Sequence, residues 1–260
     1  MKLPIYQVDA FTGYLFRGNP AAVVFSEAEL ATETMQSIAA ENNLSETAFV
    51  VAAGRSLQIR WFTPTVEVDL CGHATLAAAH VIFNHHSHSD NTVSFSSKSG
   101  PLHVRKDGEA LYLDFPVDSI QAVEPPESLI RGLGATPTEI YKGRDDYLAI
   151  FENEDTILSL NPDMAVLSTV PSRGVIVSAP GNKVDFVSRF FAPQSGIAED
   201  PVTGSAHTTL TPYWSRKLAK HELQAKQLSK RGGELVCKDL GSRIEIGGQA
   251  VTYLVGEISL

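Results

Sequence analysis

The sequence predicts a mixed α/β (α+β) chain folded as two similar lobes, and three observations lead there. A length of 260 residues is enough for two domains of ordinary size. Helix and strand signals alternate along the chain, with strands in the majority. Finally, Arg60-Trp61-Phe62-Thr63-Pro64 is echoed by Arg189-Phe190-Phe191-Ala192-Pro193, and each is followed by acidic residues and a Gly-initiated helix, "CGHATL" in one half and "TGSAHT" in the other.

The opening "MKLPIYQVDAFTG" alternates apolar and polar residues without a long apolar core, so it reads as a first strand and not as a signal peptide. Ser26 and Glu29 stand at capping-box spacing, and Leu30, Met35 and Ile38 recur at roughly helical intervals, so a helix is expected to end near Asn42 and Asn43. "LSETAFVVA" and "LQIRWF" are strand candidates, the second closed by Thr63-Pro64. "CGHATLAAAHVIF" is apolar almost all round, the pattern of a buried helix, and the polar "NHHSHSDN" ends it. Three short strand-like runs follow, "TVSFSS", "PLHVRK" and "ALYLDF", with Asp107-Gly108 as a turn.

Between Pro116 and Pro126 the pattern loosens, which marks a linker and divides the chain into residues 1–117 and 118–250, with 251–260 returning to the first lobe. The second part predicts a helix near Glu127 to Gly132, strands at "DDYLAIF", "GVIVSA" and "DFVSRFFAP", and closing strands at "SRIEIGG" and "VTYLVGEISL". Pro212 is expected to kink or shorten the helix that begins at Gly204.

Composition excludes several functions. The formal charge is −9, without a basic and aromatic cluster, so nucleic acid is not an expected partner. No apolar run approaches a membrane span. Cys71 and Cys237 are the two cysteines and form no C-x-x-C pair, which argues against a disulfide framework or a zinc site. A cytoplasmic protein is the expectation. His85, His86 and His88 cluster without regular ligand spacing and read as a solvated loop, so no metal site is expected. "GLGATP" lacks a full dinucleotide fingerprint, and no phosphate-binding P-loop or nucleophile elbow is present.

Three features carry chemistry. The helix starts at Gly72-His73 and Gly204-Ser205 offer backbone N–H groups without internal partners, at the positive ends of helix dipoles. Two such ends across a cleft would hold a carboxylate-bearing small molecule, although Gly, Ser and Thr also serve as plain helix caps. In a strand, Glu46 shares a face with Leu44, Ala48 and Val50. A carboxylate on an apolar face suits general acid/base work near neutral pH, whereas one at a strand mouth would simply face water. In "GIAEDPVTGSAHTTL", Asp200 precedes Pro201 and is pushed toward extended backbone. Its side chain either caps the next turn or orients a donor such as His73, while Ser205 donates to a substrate oxygen.

"VDAFTGYLFRGNPAAVVF", "NLSETAFV", "RWFTPTVEVDLCGHATLAAA" and "FFAPQSGIAEDPVTGSAHTTLTPYW" together resemble the signature stretches of the phenazine-biosynthesis PhzF-like family. The resemblance implies the diaminopimelate-epimerase-like fold, two pseudo-symmetric lobes that each wrap a β-barrel-like sheet around a central helix. It implies Glu46 as the acid/base, with His73, Asp200 and Ser205 as further catalytic groups and Gly72, Ala74, Gly204 and Ala206 around the substrate. It also implies that no cofactor is needed, and it suggests a homodimer. Where the family often has Pro after the histidine, this chain has Ala74. Cys71 stands where related epimerases and racemases place one of two catalytic thiols, and a helix N-terminus would lower its pKa. The matching position in the second half is Thr203, so a two-thiol racemase is disfavoured and Cys71 reads as a buried small residue.

The sequence therefore predicts a cofactor-independent isomerase of a small carboxylate-bearing metabolite. The rivals are an amino-acid epimerase or racemase using Cys71, and a metabolite-binding protein without turnover.

Overall fold

The N-terminal run forms strand β1 (Lys2–Ala10), and the computed structural model describes residues 1–53 and 56–260. In chain order there follow β2 (Asn19–Ser26), α1 (Thr32–Asn42), β3 (Glu46–Ala53), β4 (Ser56–Phe62), β5 (Glu67–Val68) and α2 (Gly72–His85). Next come β6 (Thr92–Ser97), β7 (Gly100–Asp107), β8 (Ala110–Pro116), β9 (Gln121–Ala122), α3 (Glu127–Leu133), β10 (Glu139–Lys142) and β11 (Asp146–Ile150). Then α4 (Glu154–Ser159), α5 (Met164–Leu167), β12 (Gly174–Pro180), β13 (Phe186–Phe191), a single 3-10 turn at Pro193–Ser195 and α6 (Gly204–Leu218). The chain closes with β14 (Glu222–Gln227), β15 (Gly233–Asp239), β16 (Arg243–Gly248) and β17 (Ala250–Ser259).

Two compact units result, Met1–Asp114 with Gly247–Leu260, and Phe115–Ile246. The last strand belongs to the first unit because β17 runs antiparallel along the whole of β1, from Lys2 opposite Ser259 to Ala10 opposite Ala250. The stretch expected to be a plain linker holds the short strand β9, which pairs with β10.

Strand pairing explains the echo in the sequence. In the first unit β2 and β3 are parallel across α1, β3 and β4 antiparallel, β4 and β6 parallel across α2, and β6 and β7 antiparallel. In the second, β11 and β12 are parallel across α4 and α5, β12 and β13 antiparallel, β13 and β14 parallel across α6, and β14 and β15 antiparallel. Each parallel pair needs a helical crossover, so both units use the same order. The "RWF" of β4 and the "RFF" of β13 occupy matching strands that feed the central helices.

Those helices fill the sheets. α2 touches β1, β2, β3, β7 and β17, so the sheet wraps it on several sides. Its residues His73 to Ala79, with Val81 and Ile82, are buried, as the nearly all-apolar pattern predicts. Side chains such as Leu76 and Val81, both at 0% exposure, each contribute about 1.5–3 kcal/mol by leaving water. α6 packs on β11, β14 and β15, with Trp214 stacked on Phe186 and its indole N–H donating to Ser178 Oγ at 2.9 Å. Outer layers cover the other faces, α1 over Leu3, Val24, Phe49 and Phe62, and α3 to α5 over Phe151, Val175, Val177 and Phe191.

Local expectations fail where tertiary partners intervene. α1 begins at Thr32 after Ala31, without a side-chain cap; Ser26 ends β2, and Glu29 pairs with Arg60 at 2.9 Å instead of closing a capping box. The other end of α1 is as expected, with Asn43 left-handed at φ 49°. Pro212 does not shorten α6, which runs to Leu218. Proline removes the N–H that Thr208 would have received, and the Thr208 carbonyl accepts from the backbone N–H of Asp118 at 3.4 Å. In the histidine cluster His85 and His86 are exposed, as a solvated segment predicts, but His85 still belongs to α2, with its Nε2 2.9 Å from Thr252 Oγ1, and His86 lies over Phe25.

Candidate active site

In the first unit, Glu46, Cys71 and His73 come together. Glu46 is the first residue of β3, set by parallel pairing opposite Ala21 of β2. β3 is buried on both faces, so the period-two pattern at Glu46 does not separate core from solvent. The Glu46 side chain is 14% exposed and turns to the start of α2, where Oε2 lies 3.1 Å from His73 Nε2. This is ion-pair distance, but the angle falls outside hydrogen-bond geometry and both atoms lack a regular partner. On the other side of the ring, His73 Nδ1 lies 3.3 Å from Asn19 Nδ2 and 3.5 Å from Cys71 Sγ.

Burial works against a charge on His73, but its interactions with the neighbouring Cys71 and Glu46 side chains outweigh it, and the imidazole is held well above its ordinary 6.5. Cys71 is buried, as its reading as a small buried residue predicts; burial, and after it the charge of Glu46, pushes its thiol up from 9.0 despite its place before a helix. A thiol raised in this way is neutral near pH 7. Among the described residues these three form a group of potential metal ligands, with ligand atoms within 4.8 Å of one another. Glu46 and Cys71 address opposite ring nitrogens, however, and an imidazole binds a metal through one of them. The arrangement orients a ring; its ligand atoms do not converge on one point.

In the second unit, the loop before α6 is braced from within. Asp200 donates its backbone N–H to the Phe190 carbonyl at 3.1 Å, and its Oδ2 accepts from Thr203 Oγ1 at 2.5 Å. Thr203, the N-cap of α6, therefore makes no side-chain cap. The fully buried Gln227 of β14 fastens the same turn, accepting from Thr203 N at 2.8 Å and donating to the Asp200 carbonyl at 2.8 Å. Two residues into the turn's helix, Ser205 Oγ accepts from Arg173 Nη2 at 3.1 Å.

Glu199 is structural. It accepts from Nε and Nη2 of Arg189, at 2.7 and 3.1 Å, as Glu67 accepts two from Arg60, at 2.7 and 2.9 Å, in the first unit. The first arginine of each echo thus ties its strand to the acidic residue that follows. Ala74 and Ala206 are buried, with exposures of 0% and 1%.

His207 occupies in α6 the place Thr75 holds in α2, four residues after the N-cap, and contacts the Thr203 carbonyl at 2.8 Å through Nδ1. Burial pushes its pKa down to about 4. The folded protein keeps this ring neutral where the unfolded chain protonates it, so stability is full above 6.5 and is lost as pH falls toward about 4. Urea titrations should show a loss of roughly 3 kcal/mol across that window from this group, and His207→Gln should flatten it. An unchanged slope in the variant would count against the assignment.

Sequence reasoning placed Glu46 and His73 in one unit and Asp200 and Ser205 in the other, but missed Asn19, Asp146, Arg173 and Gln227. Asn19 lay inside a quoted signature, "RGNPAAVVF". The other three carry no local signal, because each meets its partner 24 to 32 positions away.

The fold is also found in remote structures. A structure of a predicted epimerase from Pseudomonas aeruginosa aligns with 99% of each chain at TM-score 0.75 and 18% identity, a likeness of fold alone. A phenazine biosynthesis protein PhzF family structure from Enterococcus faecalis aligns over 100% of both chains at TM-score 0.97 and 48% identity. A protein called an uncharacterized isomerase, also from Pseudomonas aeruginosa, is 50% identical over 260 residues and matches 100% of each chain. The fold is thus the diaminopimelate-epimerase-like one, and the chain is an enzyme of the isomerase class. Residues 8–256 match the profile of the phenazine biosynthesis-like proteins, PhzC-PhzF, and the chain belongs to that family. No helix among the described residues is long and apolar enough to cross a membrane.

Proposed function

We propose that this protein is a cofactor-independent isomerase of a small carboxylate-bearing metabolite, in which Glu46 takes a carbon-bound proton and returns it to another position. The C–H bond electrons pass into the substrate's conjugated system while Glu46 holds the proton, and they form the new C–H bond when it is returned. His73, Asp200 and Ser205 position the substrate and stabilise the charge that develops on it, with backbone N–H groups at Gly72 and Gly204. What supports the reading most is the shielded carboxylate of Glu46 beside His73, 3.1 Å away and not tied up in a regular hydrogen bond.

The test is solvent-deuterium exchange. Cyclic and amino-acid carboxylates incubated with the enzyme in D2O are followed by mass spectrometry, and a binding protein without turnover shows no label with any of them. A Cys71-dependent epimerase is separated by Cys71→Ala, which this reading expects to change the exchange rate by no more than about threefold, because a neutral thiol with a raised pKa is a poor base. Loss of exchange in that variant would move the chemistry to the thiol. A homodimer belongs to the same reading on family likeness, and a cytoplasmic location on the composition of the chain; a monomer mass by light scattering would remove the first.

A further inference from the structure

Arg173 is not among the residues that the family motifs mark, yet its side chain is held by three hydrogen bonds. It leaves the residue before β12 and pairs side-on with Asp146, the first residue of β11. Nε donates to Oδ1 at 3.0 Å, and Nη2 donates to Oδ2. Asp146 is 3% exposed, so this carboxylate cannot do without its partner. The guanidinium also lies 5.5 Å from the Phe190 ring centroid. Phe190 crosses β12 closely because residue 174 is glycine: a Cβ there would stand 2.4 Å from the Phe190 ring. Carboxylate and ring together fix the plane of the fork.

That plane decides where the remaining hydrogen on Nη2 points, and it points at Ser205 Oγ, 3.1 Å away. The serine therefore accepts from a permanent cation. Among the described residues its own O–H donates to no protein group. A hydroxyl that accepts from a cation becomes a stronger donor through its own proton, and it loses the freedom to turn that proton elsewhere.

We propose that Arg173 is a positioning residue for Ser205: anchored by Asp146, it holds the serine hydroxyl as an acceptor on one side so that its proton is presented to a substrate oxygen on the other. The proposal rests on the reading of Ser205 as a substrate-handling group. The Asp146–Arg173–Ser205 chain links β11, the start of β12 and the start of α6, so the sheet sets the direction of a hydroxyl on the helix.

Arg173→Lys separates positioning from folding. Lysine keeps a positive charge beside Asp146 but has no planar fork to serve Asp146 and Ser205 in fixed directions. Crystal structures of the wild type and this variant should show one Ser205 rotamer in the first and a turned or divided one in the second; an unchanged rotamer overturns the proposal. On the carboxylate that the wild type exchanges fastest, Arg173→Lys should lower kcat about tenfold with KM within about twofold, since the hydrogen bond strengthens as charge develops. Ser205→Ala should lose about as much, and the double variant no more than Ser205→Ala alone. Losses that multiply overturn the proposal, whereas a fully active Ser205→Ala overturns the reading of Ser205 beneath it. Should Arg173→Lys fail to fold, Asp146→Asn with Arg173→Met removes both charges together and takes its place in both measurements.

Discussion

Replacing Glu46 with Gln should stop solvent deuterium from entering the substrate, with kcat/KM down by about a thousandfold and ligand affinity nearly unchanged. Glutamine has the shape of glutamate and keeps the contact to His73, but it can neither take nor return a proton. The fold should survive, because the neutralised partner leaves an imidazole that can shed its own proton, unlike a guanidinium. A second readout follows from the geometry. The charge of Glu46 is one of those that hold His73 above 6.5, so the variant's His73 resonances should titrate at lower pH by NMR. Full exchange activity in Glu46→Gln would remove Glu46 from its role, and an unmoved His73 titration would contradict the pairing.

Arg189→Met should be the most destabilising of the surface-reaching substitutions, costing roughly 3 kcal/mol in urea unfolding. Arg189 is 14% exposed and Glu199 22%, so part of the pair is out of water. Beyond its two bonds to Glu199, Arg189 donates through Nη1 to the carbonyls of Ile157 and Leu160, at 3.1 and 2.8 Å. Those carbonyls end α4, and a cation there both caps them and meets the negative end of the helix dipole. Methionine fills the aliphatic path but leaves one carboxylate and two carbonyls without their donor. Because Glu199 is next to Asp200, the variant should also slow exchange by loosening the loop. A loss under about 1 kcal/mol would mean that water replaces the arginine readily.

These outcomes mark what was legible in the chain. Most elements could be read, because alternation in β1 and the apolar run in α2 follow from strand and helix periods alone. The "RWF" and "RFF" echo pointed to two like units, and matched strand pairing is its structural meaning. Short elements escaped notice: α4 and α5 have six and four residues, too few for a period to emerge. Pro212 misled because a local rule cannot see that Asp118 is there to satisfy the released carbonyl. The capping box at Ser26 failed for a similar reason, since Glu29 found Arg60 on a neighbouring strand.

The candidate site divides in the same way. Motif residues named Glu46, His73, Asp200 and Ser205, and the order of residues alone placed His73 and Ser205 just inside helix starts. Which groups they meet was a matter for the packed units. The fold brings Cys71 and His73 to Glu46 and buries the thiol, whose pKa rises although it precedes a helix, because burial costs a charge more than the helix end favours it. It also joins Asp146 to Arg173 across 27 positions, and Thr203 to Gln227 across 24. The sequence by itself determined the repeated order of strands and helices, the family, and the residue types at the helix starts, all of them local or inherited patterns. Only the tertiary structure decided the partners and shielding of those side chains, because both depend on neighbours that are distant along the chain.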